Sequence, residues 1–171
     1  MARVAIAILG DTHMPRGARR LPDLCVERLA AADLIVHTGD FHRVEAYEEI
    51  AAIGPPLIAV SGNVDAPELT ARLPQGTSFE LGERVIAMVH DAGPKDGRLR
   101  RLRKRFPRAD AVLFGHSHLP LHEREDPEDP GSFQIFNPGS PTERRRAPRH
   151  SMGTCELSAD GALVFEHVWL D

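Results

Sequence analysis

The chain has 171 residues, 42% of them hydrophobic, which fits a single domain over residues 1–171 with a sizeable core and excludes a disordered or fibrous protein. Its 21 Lys and Arg against 25 Asp and Glu give a formal charge of −4, so there is no general electrostatic case for binding nucleic acid or a membrane surface. No stretch is apolar enough to span a bilayer, the opening MARVAIAILG lacks the pattern of a secretory signal, and the isolated Cys25 and Cys155 fit plain thiols in a reducing cytoplasm.

In chain order, the first predicted strand is VAIAIL (4–9). LPDLCVERLAAA then carries Leu21, Leu24, Cys25, Arg28 and Leu29 along one helical stripe. LIVH (34–37) is the second strand, and RVEAYEEIAAIG sets Val44, Tyr47, Ile50 and Ala51 on a helix that Gly54 and Pro55 end. PLIAV (56–60) completes a strand-helix-strand-helix-strand series, the pattern of a parallel sheet with right-handed crossovers. RVIAMV (84–89) and AVLF (111–114) are further buried strands. Between them GRLRRLRKRF places Leu99, Leu102 and Phe106 at i, i+3 and i+7, an amphipathic helix whose six basic residues face solvent. After Pro120, LHERED, SFQIF, SMGTCELS and ALVFEHVWL predict a mainly antiparallel second half, with a turn at Ala159-Asp160-Gly161. EDPEDPGS (125–132) is a polar loop tip. The expected fold is α/β, two sheets packed face to face with helices outside. Exposed strand edges in the second half could pair subunits into a homo-oligomer.

Each early strand is followed by residues able to bind a metal: GDTH, TGD, SGNVD, HD and GHSH. In α/β sheets the ligand site lies beyond the carboxyl ends of the strands, so Asp11, His13, Asp40, Asn63, His90, His116 and His118 should meet there. His116 and His118, two apart on an extended chain, would face the same side and could share one ion. Seven donors exceed the needs of one cation, whereas two cations sharing a carboxylate would use them all. The mixture of imidazole, carboxylate and amide argues against a closed structural zinc site and against calcium, and it suits Mn, Fe, Zn, Ni or Co. His37 reads as a strand residue and His42 as a rim residue.

With DTH, GD, GNVD, the lone His90 and GHSH in order, the sequence resembles the calcineurin-like metallophosphoesterases, and more narrowly their small YfcE-type phosphodiesterase branch. The resemblance runs from Val4 to about Pro141, including the turn NPGSP (137–141). It implies an αββα four-layer sandwich of two mixed sheets flanked by helices, holding two divalent cations, with manganese foremost. Asp11, His13, Asp40 and His118 would hold one cation and Asp40, Asn63, His90 and His116 the other, Asp40 bridging. It also implies a hydrolase that cleaves a small phosphodiester through a metal-bridging hydroxide, with Asn63 touching phosphate as well as metal. Two alternatives remain: phosphomonoester hydrolysis, and a non-catalytic, metal-binding interaction scaffold such as the retromer subunit of this fold.

Two positions depart from the family pattern. The histidine that often follows the motif asparagine is Val64, which cannot donate a proton, so Asp65 becomes the candidate general acid, with capping of the helix APELTARL as its other role. Asp91 stands where the family has glycine, and its carboxylate would orient His90 or face solvent. A second basic run, Arg144, Arg145, Arg146 and Arg149, follows NPGSP and could bring an arginine to substrate.

Overall fold

The computed structural model describes residues 4–171. Strands β1 (Ala5–Leu9), β2 (Leu34–His37) and β3 (Leu57–Ala59) run parallel, joined through helices α1 (Asp23–Ala30) and α2 (Val44–Ala51). After α3 (Pro67–Arg72), a second sheet forms from β4 (Gly76–Leu81), β5 (Arg84–Val89), β6 (Ala111–Leu113), β7 (Leu121–Arg124) and β8 (Gln134–Asn137), in the order β4-β5-β6-β8-β7. Helix α4 (Arg98–Arg105) connects β5 to β6. The chain then returns to the first sheet, where β9 (Ser151–Leu157) pairs antiparallel with β1 and β10 (Leu163–Trp169) pairs with β9. Both five-stranded sheets are therefore mixed, and the last hairpin completes the first sheet instead of extending the second.

The two-residue period of the strands sorts their side chains into three apolar layers. Ile6 and Ile8 of β1, Val36 of β2, Ile86 and Met88 of β5, Leu113 and Phe136 meet between the sheets. The alternate residues Ala7, Leu9 and Ile35 face Cys25 and Leu29 of α1, Ile50 of α2 and Leu69 of α3. On the far side Ala87, Val89, Val112, Phe114 and Ile135 pack against Leu102 of α4. The result is the αββα sandwich, and each fully buried Ile, Leu or Phe in it contributes about 1.5–3 kcal/mol. The α1 stripe is narrower than the sequence predicts, since Leu24 is exposed; on α2, Ala51 is exposed and Ala46 is buried in its stead.

Strand β4 lacks any apolar run and escapes the sequence pattern. GTSFEL is an edge strand that alternates exposed and covered residues, with Phe79 and Leu81 turned to the core. The basic side of α4 is more than a solvated face. Arg98 donates to the Gly93 carbonyl, Arg101 to the Ala92 and Pro94 carbonyls, and Arg103 to the Pro107 and Ala109 carbonyls, which ties both ends of the helix to their loops.

Candidate metal centre

All seven predicted residues come together beyond the carboxyl ends of β1, β2, β3, β5 and β6. The turns that carry them are sharp: Asp11, His13, Asp40, His116 and His118 have φ between 44° and 70°. The other non-glycine residues with positive φ, among those described, are His42 and Arg145. Such left-handed conformations cost about 1–2 kcal/mol each for residues with a Cβ, so the sandwich holds strain in these loops. Gly62 must be glycine for another reason, because a Cβ there would lie 2.0 Å from Asp40 Oδ1.

The donors form two adjoining groups, Asp11–His13–His118 and Asp40–His90–His116, each with its ligating atoms within 4.8 Å of one another. In the first, His13 Nε2 and His118 Nε2 are 3.2 Å apart, and Asp11 Oδ1 lies 3.7 Å from His118 Nε2. In the second, Asn63 Oδ1 sits 2.9 Å from His90 Nε2 and 3.0 Å from His116 Nδ1. Asp40 lies between them: Oδ1 accepts the Val64 N–H, while Oδ2 is 3.5 Å from His13 Nε2 and 3.2 Å from His90 Nε2. His116 and His118 thus belong to different groups, and the same-side expectation from their spacing fails because both residues are left-handed rather than extended.

Backbone carbonyls fix the imidazoles. His90 donates Nδ1–H to the Thr38 carbonyl, and His118 donates Nδ1–H to the Glu143 carbonyl, which leaves each Nε2 aimed inward. Burial lowers the pKa of His13 and brings that of His118 to about 4, so both rings are neutral at pH 7 and able to ligate. Burial raises Asp11 to about 7 against the lowering effect of His90, and its Oδ2 is buried without a hydrogen-bond partner. Burial opposes ionisation of Asp40 too, but hydrogen bonding and charge from His90 and the Val64 N–H outweigh it and hold the carboxyl at about 2. His90, although buried, is raised by Asp40 and Asp11. A field that draws positive charge, an orphaned carboxylate oxygen and converging imidazole lone pairs are the surroundings that divalent cations fit.

Several neighbours escaped the sequence reasoning. The turn at 137–143 bolts two donor loops together: Asn137 Nδ2 donates to the Gly115 carbonyl, Ser140 Oγ to the Asp11 carbonyl and Thr142 Oγ1 to the Thr12 carbonyl. Glu143 reaches within 3.9 Å of His13 Nε2 and ion-pairs with Arg19 at 3.5 Å. Nothing in the sequence marks it beyond its place after NPGSP.

Asp65 differs from expectation. Its Oδ2 accepts from Gly62 N–H at 2.7 Å and Asp40 N–H at 3.2 Å, and its Oδ1 from His42 N–H at 2.8 Å. Both oxygens are directed at backbone donors, so that Asp65 clamps the loops of Asp40, His42 and Gly62, and α3 begins at Pro67 behind Ala66 with no side-chain cap. Asp91 does not orient His90; it is exposed and accepts the Gly93 N–H. His37 is wholly buried, stacked on Phe41 at 3.6 Å and outside the cleft.

A four-layer αββα sandwich with a histidine–carboxylate cluster beyond its strand ends is the arrangement of the metallophosphoesterase fold. The chain belongs to the calcineurin-like phosphoesterase superfamily, whose domain matches residues 4–160. A probable metallophosphoesterase of Methanothermobacter thermautotrophicus is 29% identical over 140 residues, covering 80% of this chain and 77% of that protein. Among solved structures, Vacuolar Protein Sorting 29 from Cryptosporidium parvum superposes with a TM-score of 0.76 at 22% identity, covering 97% of both chains. An archaeal phosphodiesterase superposes with a TM-score of 0.73 at 18% identity, covering 98% of this chain and all of the other.

Proposed function

We propose that the protein is a phosphodiesterase dependent on two divalent cations. Asp11, His13 and His118 would hold one and Asn63, His90 and His116 the other, with Asp40 between them available to both. The observation that carries this is the position of Asp40 Oδ2, within 3.5 Å of an imidazole of each group. Manganese heads the candidates, with Fe, Zn, Ni and Co also suited to the donor set. When bound, such a pair of ions lowers the pKa of water and neutralises charge on phosphoryl oxygens. The chain's residues do the rest. Thr38 and Glu143 fix the imidazole tautomers, Asp65 holds the loops of Asp40 and Asn63 in register, and the amide nitrogen of Asn63 is free to meet a phosphoryl oxygen once Oδ1 ligates.

Neither of the two residues that follow Asn63 is placed to protonate a leaving group. Val64 is exposed but apolar, and Asp65 faces backbone N–H groups. Aryl phosphodiesters, whose alcohols depart without a proton, are the favoured substrates, and the rate falls as leaving-group pKa rises. A leaving-group series on phenyl diesters measures this; a flat dependence contradicts it.

The direct test compares mono- and diester hydrolysis by the metal-stripped and metal-reloaded protein, beside Asp40→Ala. Reloading restores diester hydrolysis in the wild type and not in the variant. Stoichiometric metal without turnover under any divalent cation points instead to a scaffold, and preference for monoesters to a phosphomonoesterase.

A further inference from the structure

Arg145 is an exposed cation beside the cleft that forms no ion pair with the described carboxylates. It follows the 137–143 turn, which is fixed by Ser140, Thr142 and the Arg144 contact to the Ala147 carbonyl. One guanidinium nitrogen, Nη1, donates to the His116 carbonyl at 3.3 Å. Among the described residues no carboxylate lies within ion-pair distance of it, and Glu143 is already engaged by Arg19 at 3.5 Å and Arg16 at 3.7 Å. The contact to the His116 carbonyl sets the guanidinium on the loop that carries His116 and His118, and its positive charge bears on Asp11, His13 and His118.

Its backbone is also left-handed, with φ 49°. A turn needing only that conformation would be formed at less cost by Gly or Asn, and every other non-glycine residue so strained among those described lies in a loop of the cleft. Arginine is the side chain best built to grip a phosphoryl group, since its planar fork offers five donors and stays charged. Most of those donors are uncommitted here. The position after Asn63, which could have supplied a second polar contact, is Val64.

We propose that Arg145 is a substrate-binding residue whose guanidinium holds a non-bridging phosphoryl oxygen at the mouth of the cleft, beside the loop of His116 and His118. This rests on the phosphoesterase reading of the same site. It also separates the arginines of the run: Arg144 closes the turn through the Ala147 carbonyl, and Arg146 is exposed.

The probe is inorganic phosphate, titrated calorimetrically into the manganese-loaded protein, with aryl-diester kinetics, metal content and Tm measured in parallel for Arg145→Ala, Arg145→Lys and Arg146→Ala. Charge-assisted contacts of this kind correspond to about 10–100-fold in affinity. Arg145→Ala should weaken phosphate binding by about that factor and lower kcat/KM alike, with metal content and Tm unchanged. Arg145→Lys should recover part of the loss, and Arg146→Ala should match the wild type. Unchanged phosphate affinity in Arg145→Ala overturns the proposal, as does a loss that comes with lost metal or a lower Tm, which would make Arg145 a strap on the His116 loop. The two readings fail separately: Arg145-dependent phosphate binding without ester hydrolysis upholds the contact and refutes the enzyme, whereas hydrolysis with Arg145-independent phosphate binding does the reverse.

Discussion

Replacing Asp65 by asparagine changes almost no volume and tests whether this carboxylate is a clamp or an acid. It accepts three backbone N–H groups, from Gly62 at 2.7 Å, His42 at 2.8 Å and Asp40 at 3.2 Å. Hydrogen bonds to a charged acceptor contribute about 1.5–3 kcal/mol each and neutral ones about 0.5–1.5 kcal/mol. In its better orientation Asn keeps an oxygen towards Gly62 and Asp40, at neutral strength, and turns an NH2 against the His42 N–H. One bond is lost and two weaken; Asp65 is partly open to water, so the cost comes to about 2–3 kcal/mol. Urea denaturation should show a lower midpoint at unchanged slope, and metal retention on dialysis should fall because Asp40 and Asn63 share the loosened loops. A change below about 0.5 kcal/mol with full metal content would refute the clamp. Activity lost while stability and metal both persist would make Asp65 a proton donor.

Further outcomes follow from residues outside the cleft. Gly153→Ala sets a Cβ 2.4 Å from the Phe136 ring in the layer between the sheets, and overpacking of that kind should lower stability by about 1–3 kcal/mol, read as a fall in Tm. His37 accepts the Gly39 N–H at Nδ1 and meets Thr12 Oγ1 through Nε2, so it is held neutral, with its pKa lowered by burial to about 3. The unfolded chain therefore takes up a proton first: stability from His37 is full above pH 6.5 and drains as the pH falls towards 3. At pH 4 the loss reaches about 3 kcal/mol, and His37→Gln should flatten the pH 7 to 4 difference by that amount in urea titrations. Cys25 and Cys155 are buried, with pKa raised to about 12, so neither should react with an aromatic disulfide reagent at pH 8 until denaturant is added.

The sheets were legible wherever strands carry continuous apolar runs, as in VAIAIL or RVIAMV, because both of their faces are covered. GTSFEL was not, since an edge strand covers only one face and its other residues are polar. Strand lengths and turns marked β9 and β10, but no local pattern says that they return to β1; that pairing is set by long-range packing of Cys155 and Phe165 between the sheets. The meeting of the seven cleft residues could be read from strand-end positions alone. Their division into groups came only with the family resemblance of DTH, GD, GNVD, His90 and GHSH; residue spacing alone pointed the other way, because the division depends on left-handed φ values at His116 and His118. Asp65, Asn137, Ser140 and Thr142 act through backbone groups of distant loops, contacts that carry no periodic signal.

Two cation positions should stand side by side and share Asp40, and anomalous diffraction from manganese-loaded crystals of the wild type, His118→Ala and His116→Ala reads them out one at a time. Two peaks are predicted in the wild type; His118→Ala should lose the peak beside Asp11 and His13, and His116→Ala the one beside Asn63 and His90. A single peak in the wild type, or loss of the same peak in both variants, would rule out a pair of cations divided between His116 and His118.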